Sequence, residues 1–246
     1  MKLLLRSLLI SAIVLIASAT QAQIRIPSLP YTITASGVYT FCSSLDYNGA
    51  LPAALQITAS DVTVDLKGHS ITCAGTVAAT QTVGISAFNC TNVTIRNGGI
   101  VGFSKGIELA GQQEFQSASI GALIENVRCT YNVNCGIFVS VNYNAVVRDC
   151  QISDTGYSPD GSSYNTRGIG IYDALGAGNL IYKNNITQVS DTGIVLGSND
   201  LAEGNFVTAA ITGVFCADPS SKLKYNVVTL ATVPYQGGTQ LPGTNF

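Results

Sequence analysis

Residues 61–71, DVTVDLKGHSI, decide the fold because they return at residues 92–100 as NVTIRNGGI. Each copy opens on a polar turn residue, alternates apolar with polar side chains, breaks at a glycine and closes on an isoleucine. The core of the pattern recurs as Leu123-Ile124-Glu125, Val146-Val147-Arg148, Leu180-Ile181-Tyr182, Leu201-Ala202-Glu203 and Lys222-Leu223-Lys224. An apolar anchor follows each copy: Ile71, Ile100, Cys129, Ile152, Ile186, Val207 and Val228. A third element then appears as Gly84-Ile85, Gly106-Ile107, Gly136-Ile137, Gly168-Ile169, Gly193-Ile194 and Gly213-Val214. Its glycines are 22, 30, 32, 25 and 20 residues apart, and the longer intervals contain polar insertions such as 112–119 and 157–166.

A period in the low twenties, with no run of helical spacing, describes stacked strand units that cannot each bury an apolar face alone. Parallel strands about 4.8 Å apart place equivalent residues directly above one another, so columns of the alignment become physical ladders. Ile85, Ile107, Ile137, Ile169, Ile194 and Val214 form one inward column on this reading. Ala87, Leu109, Val139, Ile171, Leu196 and Cys216 form the next, two residues on. Cys129 and Cys216 read first as small buried apolar residues. An outward column reads Asp65, Arg96, Glu125, Arg148, Tyr182, Glu203, Lys224. Its alternating signs predict an ion-pair ladder that fixes coil register, with Arg148 over the Tyr182 ring.

Composition sets the outer limits. The chain has 246 residues, of which 11% are charged and 46% hydrophobic, with 25 glycines. Charge this sparse excludes a disordered tail and a coiled coil. Without a basic surplus, nucleic acid is excluded as a partner. Lys2 and Arg6 precede an apolar run ending at Ala17, and small residues lead on to Ala22, which predicts a signal peptide over 1–22. Its removal leaves 10 basic against 14 acidic side chains, a net charge of −4. No later stretch is long and apolar enough to span a bilayer, so the expected destination is secreted or periplasmic. Seven cysteines fit an oxidising compartment, and the odd number leaves one thiol over. No CxxC occurs, and the single histidine cannot complete a Cys/His zinc site.

With these repeats in hand, residues 61–71, 92–100 and Gly106-Ile107 resemble right-handed parallel β-helix repeat proteins of the pectin-lyase-like superfamily. The lead-in ITASGVYTF, residues 33–41, resembles the capping strand that often precedes the first coil. The resemblance covers residues 31–230. It implies an all-β, single-stranded right-handed parallel β-helix, or β-solenoid, of about seven coils within one domain over 23–246. A cap region occupies 31–60, the coils 61–230 and a C-terminal tail 231–246. The superfamily holds lyases, hydrolases, epimerases, tail proteins and adhesins, so the fold does not assign a function.

Its catalytic signatures are missing. There is no Asp-Asp pair, and His69 stands in a turn, Lys67-Gly68-His69-Ser70, without an evident carboxylate partner. Asp154 and Asp191 both occur in Ser-Asp-Thr-Gly, an apparent echo of the repeat. The insertion at 157–166 is the remaining lead, because loops on a rigid scaffold are where binding groups concentrate. Around it stand Arg167, Asp154, Asp160 and Asp173 as catalytic candidates, with Tyr157, Tyr164 and Tyr172 as sugar-binding candidates. Arginine can hold a uronate carboxylate bidentately. Two carboxylates, Asp160 and Asp173, are too few to predict a Ca²⁺ site, so no cofactor is expected.

Cys73 with Cys90, or Cys129 with Cys135, could form a disulfide, and the second pairing excludes a free buried Cys129. Asn89, Asn92 and Asn185 stand in glycosylation sequons. Two functions stay open. One is a non-catalytic scaffold that binds a glycan or a cell-surface partner. The other is a carbohydrate-active enzyme acting on acidic polysaccharide beside the insertion.

Overall fold

In the computed structural model, residues 22–49, 51–74, 82–111, 119–157, 167–243 and 245–246 are described. They form a parallel β-helix, in which every strand pairs in parallel with its equivalent one coil away. One sheet of nine strands carries the third element of the repeat. The other two elements share a bent sixteen-stranded sheet. The bend lies where Lys67, Asn97, Asn126, Asp149 and Lys183 adopt left-handed backbone with φ between 52° and 60°. Asparagine and aspartate tolerate that conformation better than most residues, which is why this corner is rich in them.

The seven coils aligned from the sequence stack as expected, and the ladder continues at both ends. Residues 31–60, expected as a cap, contribute Tyr31–Ile33 and Ala53–Ile57 to the nine-stranded sheet. They also contribute Gly37–Thr40 and Leu45–Tyr47 to the larger one. Val233–Gln236 and Thr239–Gln240 carry the stack into the C-terminal tail.

The charged column keeps its predicted register throughout, from Asp65 beside Arg96 to Glu203 beside Lys224. Three ion pairs form along it. Arg96 Nε lies 3.1 Å from Asp65, Arg148 pairs with Glu125, and Lys224 lies 3.3 Å from Glu203. The arrangement at Tyr182 differs from expectation. Lys183 stands over its ring at 4.8 Å, while Arg148 turns to Glu125 and Asp149. Carboxylates attract the guanidinium more strongly than a ring face does.

A second correction concerns the coil after the insertion. Ile137 pairs with Ile171, and Ile171 with Ile194, so the inward column passes through Ile171 where the alignment placed Ile169. Gly170, not Gly168, is therefore the recurring glycine. A methyl group on Gly136 would meet the Gly170 carbonyl at 2.7 Å, and one on Gly170 would meet the Gly193 carbonyl at 2.5 Å. The two-residue slip carries Asp173 into the inward column, beside Val139. The two Ser-Asp-Thr-Gly segments are likewise not equivalent. Asp154 occupies a left-handed corner position (φ 55°) level with Gln188, three residues before Asp191.

Inside the corner of the last coils, Asn184, Asn205, Asn226 and Asn245 stack. Each side-chain oxygen accepts the backbone N–H of the residue one coil earlier, at 2.9–3.0 Å. Each amide donates to a carbonyl, as Asn205 does to Ile181 at 2.8 Å. Buried backbone groups that a turn leaves unpaired are thereby satisfied.

No disulfide joins the seven cysteines. Cys129 fills the inward column next to Ile100 and Ile152, and Cys135 donates its thiol to the Ile137 carbonyl at 3.1 Å. Cys90 donates to Phe88 at 3.2 Å, whereas Cys73 lies 3.8 Å from the Thr82 hydroxyl. Each sulfur is thus engaged where it sits. Burial pushes the Cys135 and Cys150 thiols up to about 12 and raises Cys129 strongly. The thiolate is the reactive species, so these three are protected both by access and by protonation.

Two predictions follow from this packing. Glu125→Lys sets three cations in a row with Arg96 and Arg148; it should lower Tm by roughly 2–4 °C at low salt and less at high salt. Identical melting curves at both salt concentrations would contradict the ladder. A thiol reagent added to native protein should label the exposed Cys42 first. Cys129, Cys135 and Cys150 should react only after denaturation, as peptide mapping by mass spectrometry would read.

Candidate functional site

The outward face of the nine-stranded sheet is built from the residues between the two inward columns. In coil order they are Gln56, Ser86, Glu108, Phe138, Tyr172, Val195, Phe215 and Gln236. The middle of this column is an apolar and aromatic stripe. Phe138 and Tyr172 meet edge to face with ring centroids 5.4 Å apart, and Lys105 stands over the Phe138 ring at 4.1 Å. Such geometry suits the ring quadrupoles and fixes both side chains in place.

Beside this stripe lies an open groove of about 250 Å³, bounded by Arg167, Tyr172, Asp191, Val195, Phe215 and Gln236. Arg167 Nε stands 3.5 Å from Asp191 Oδ2, and the arginine side chain is 88% exposed. The Thr192 hydroxyl also donates to Asp191, at 3.3 Å. A pair this open contributes only about 0–1 kcal/mol, so the guanidinium is readily exchanged to another anion. The groove therefore offers rigid ring faces and one available cation.

The base of the insertion reaches this groove. Gly156 and Gly168 close against each other at Ser190: Gly168 N–H donates to the Ser190 hydroxyl at 2.9 Å. A methyl on Gly156 would lie 3.1 Å from Gly168 Cα. Gly156 (φ 87°) tolerates that approach because it has no side chain. Arg167 emerges at the closing end of the loop.

The sequence candidates distribute unevenly. Arg167 and Tyr172 share the groove. Tyr157 stands half-buried at the opening end of the insertion, where its N–H donates to the Asp154 carbonyl at 3.3 Å. Asp154 sits in the corner column, whose other occupants include Gln188, Ala209 and Leu230, so that position requires a turn and not a carboxylate. Asp160 and Tyr164 lie outside the described residues. Asp173 is wholly buried and faces the interior, away from the groove. The arrangement of Arg167 among several carboxylates is thus not assembled by Asp154 or Asp173, nor does Asp173 offer a ligand to a surface Ca²⁺. Among the described residues no group of three or more His, Cys, Asp or Glu is placed to hold a metal ion.

Sequence reasoning missed Phe138, Val195, Phe215 and the role of Asp191. The signal was available, because strict alternation sends the residue between two inward columns outward. His69 is half-buried in its turn, its N–H bonded to Leu66 O and its carbonyl to Gly99 N–H. No carboxylate pairs with its imidazole among the described residues. A second hollow, of about 300 Å³, lies at the bend of the larger sheet between Gly68, Gly98, Arg128 and Asp149. It is formed by corner residues and presents no aromatic face.

Fold and groove together define a β-solenoid with a side groove. A family model described as right handed beta helix region matches residues 76–239, and the chain belongs to that family. Among solved structures it is similar to an alginate lyase from Paenibacillus sp. str. FPU-7, with TM-score 0.50 and 17% identity, over 94% of this chain and 79% of that one. It is also similar to the A-module of the mannuronan C-5 epimerase AlgE6 from Azotobacter vinelandii, with TM-score 0.52 and 10% identity, over 89% and 65%. ORF18 of Geobacillus virus E2 gives 0.52 and 11%, over 91% of this chain and 50% of that one. These likenesses establish the fold. No curated protein matches the sequence. No helix among the described residues is long and apolar enough to cross a membrane.

Proposed function

We propose that the protein is exported and binds a polysaccharide chain in the groove on its nine-stranded sheet. The observation that carries this reading is the meeting of Tyr172 and Phe215 with the loosely paired Arg167 in one groove. Ring faces take up the apolar faces of sugars, and a planar guanidinium recognises a carboxylate. A uronate carboxylate would take the place of Asp191 on Arg167. Stacked strands hold Tyr172 and Phe215 on a rigid sheet, which limits the ordering cost of binding. Similarity to an alginate lyase and a mannuronan epimerase makes acidic polysaccharides of that kind the first probes.

Binding is preferred to cleavage because, among the described residues, Arg167 faces one carboxylate, Asp191, while Asp154 stands at a corner and Asp173 in the interior. General acid–base chemistry needs a second group within hydrogen-bond reach of the substrate.

Calorimetry with alginate and polygalacturonate oligosaccharides tests the proposal. Tyr172→Ala and Phe215→Ala should each weaken binding by about tenfold, or about 1.4 kcal/mol. Arg167→Ala should weaken acidic oligosaccharides and leave neutral ones unchanged. Equal affinity in wild type and all three variants would place the ligand elsewhere. Release of unsaturated uronate, followed by ultraviolet absorbance, would overturn the non-catalytic reading in favour of a lyase.

A further inference from the structure

Behind the groove, the inner corner that follows the Ile169–Asp173 strand holds two carboxyl groups from neighbouring coils, Asp173 and Asp200, neither with any exposure to solvent. Asp173 stands in the inward column that is otherwise Ala87, Leu109, Val139, Leu196 and Cys216. Its Oδ2 accepts from the Asn179 amide at 2.5 Å, and its Oδ1 from Gly176 N–H at 3.2 Å. Asp200 accepts the N–H groups of Asn179 at 2.9 Å and Gly197 at 2.7 Å. A methyl group on Gly197 would lie 3.3 Å from Asp200 Oδ2 and 3.4 Å from Asp173 Oδ1, so both carboxyls border one small space.

Packed about that space without solvent, each carboxyl acts directly on the charge of the other. An ionised carboxylate has no donor, so two carboxyls so placed can bond to each other only when one of them carries a proton. The other titratable groups facing the pair are Asp218, one coil on, and the Cys216 thiol, and neither supplies positive charge. Among the described residues no Lys, Arg or His forms an ion pair with Asp173 or Asp200.

We propose that Asp173 and Asp200 share one proton at neutral pH, and that this proton locks the inner corner joining their two coils. Two bare carboxylates in the same buried space would repel each other and lack solvation. Burial, followed by the neighbouring Asp200 charge, holds Asp173 well above the usual carboxylate range. The unfolded chain releases the corresponding proton near pH 4, roughly the ordinary aspartate value. Folded protein therefore binds the extra proton, and the stability it confers is complete below about pH 4. That contribution is lost as pH rises through the folded-state value. The lock is consequently a device that loosens in alkali, whatever occupies the groove in front of it.

Thermal unfolding of the full protein between about pH 5 and about pH 9 tests the device. Wild-type Tm should fall by roughly 5 °C or more across that range. Asp173→Asn keeps the shape and a hydrogen-bonding side chain but cannot ionise, so its Tm should be much flatter with pH. A decline parallel to wild type would overturn the proposal. A measurement on the wild type alone stands independently of whether the variant folds. Infrared difference spectra should show the carbonyl band of a buried protonated carboxyl at pH 7 that disappears as pH is raised. Absence of that band at pH 7 would equally overturn it.

Discussion

Everything in this molecule depends on one constraint: each coil must lie on the next in parallel register, about 4.8 Å away. That spacing turns sequence repetition into columns, and each column must then be compatible with itself. Apolar side chains are compatible inside, as Ile107, Ile137, Ile171 and Ile194 demonstrate. Opposite charges are compatible along the charged column, as the buried Asp65 with Arg96 and Glu125 with Arg148 demonstrate. Like charges are not, and where two acids do meet inside the stack, at Asp173 and Asp200, the proposed shared proton removes one of the charges. Glycine is required where backbone of the next coil comes closest, as at Gly136 beneath the Gly170 carbonyl.

Much of this was legible in the sequence because strands have a period of two and few rivals for it. The charged column and the anchors Ile71, Ile100, Cys129, Ile152, Ile186, Val207 and Val228 keep their aligned register. The coil after the insertion was misread for a definite reason. Residues 168–171 read Gly-Ile-Gly-Ile, so two registers two residues apart preserve the same alternation. Choosing Ile169 left Asp173 beyond the inward column, where a carboxylate belongs by ordinary solvation. The fold takes the other register because Gly170 supplies the close approach that Gly136 and Gly193 require on either side. The coils within 31–60 were hidden differently. They lack the Gly-Ile element and the charged column, and pair through Tyr39, Leu45 and Leu55.

The site was legible in part. Arg167 and Tyr172 stood out because they flank an insertion in an otherwise short repeat. Val195 and Phe215 come from later coils, and only the stacking brings them beside Tyr172. Asp154 and Asp173 drew attention as acids near the insertion, yet sequence proximity does not decide which way a side chain faces. One is spent on a left-handed corner and the other on the interior. The groove thus uses what the repeat leaves outward, and its chemistry is that of ring faces with a single cation.

The register of the coil after the insertion is the point on which groove and buried acid pair both rest. Nuclear Overhauser contacts between isoleucine methyl groups, in protein labelled at those positions, measure it directly. Contacts should run from Ile107 to Ile137, from Ile137 to Ile171 and from Ile171 to Ile194, with Ile169 outside the chain. A chain of contacts that passes through Ile169 in place of Ile171 would move Asp173 out of the interior and contradict the account.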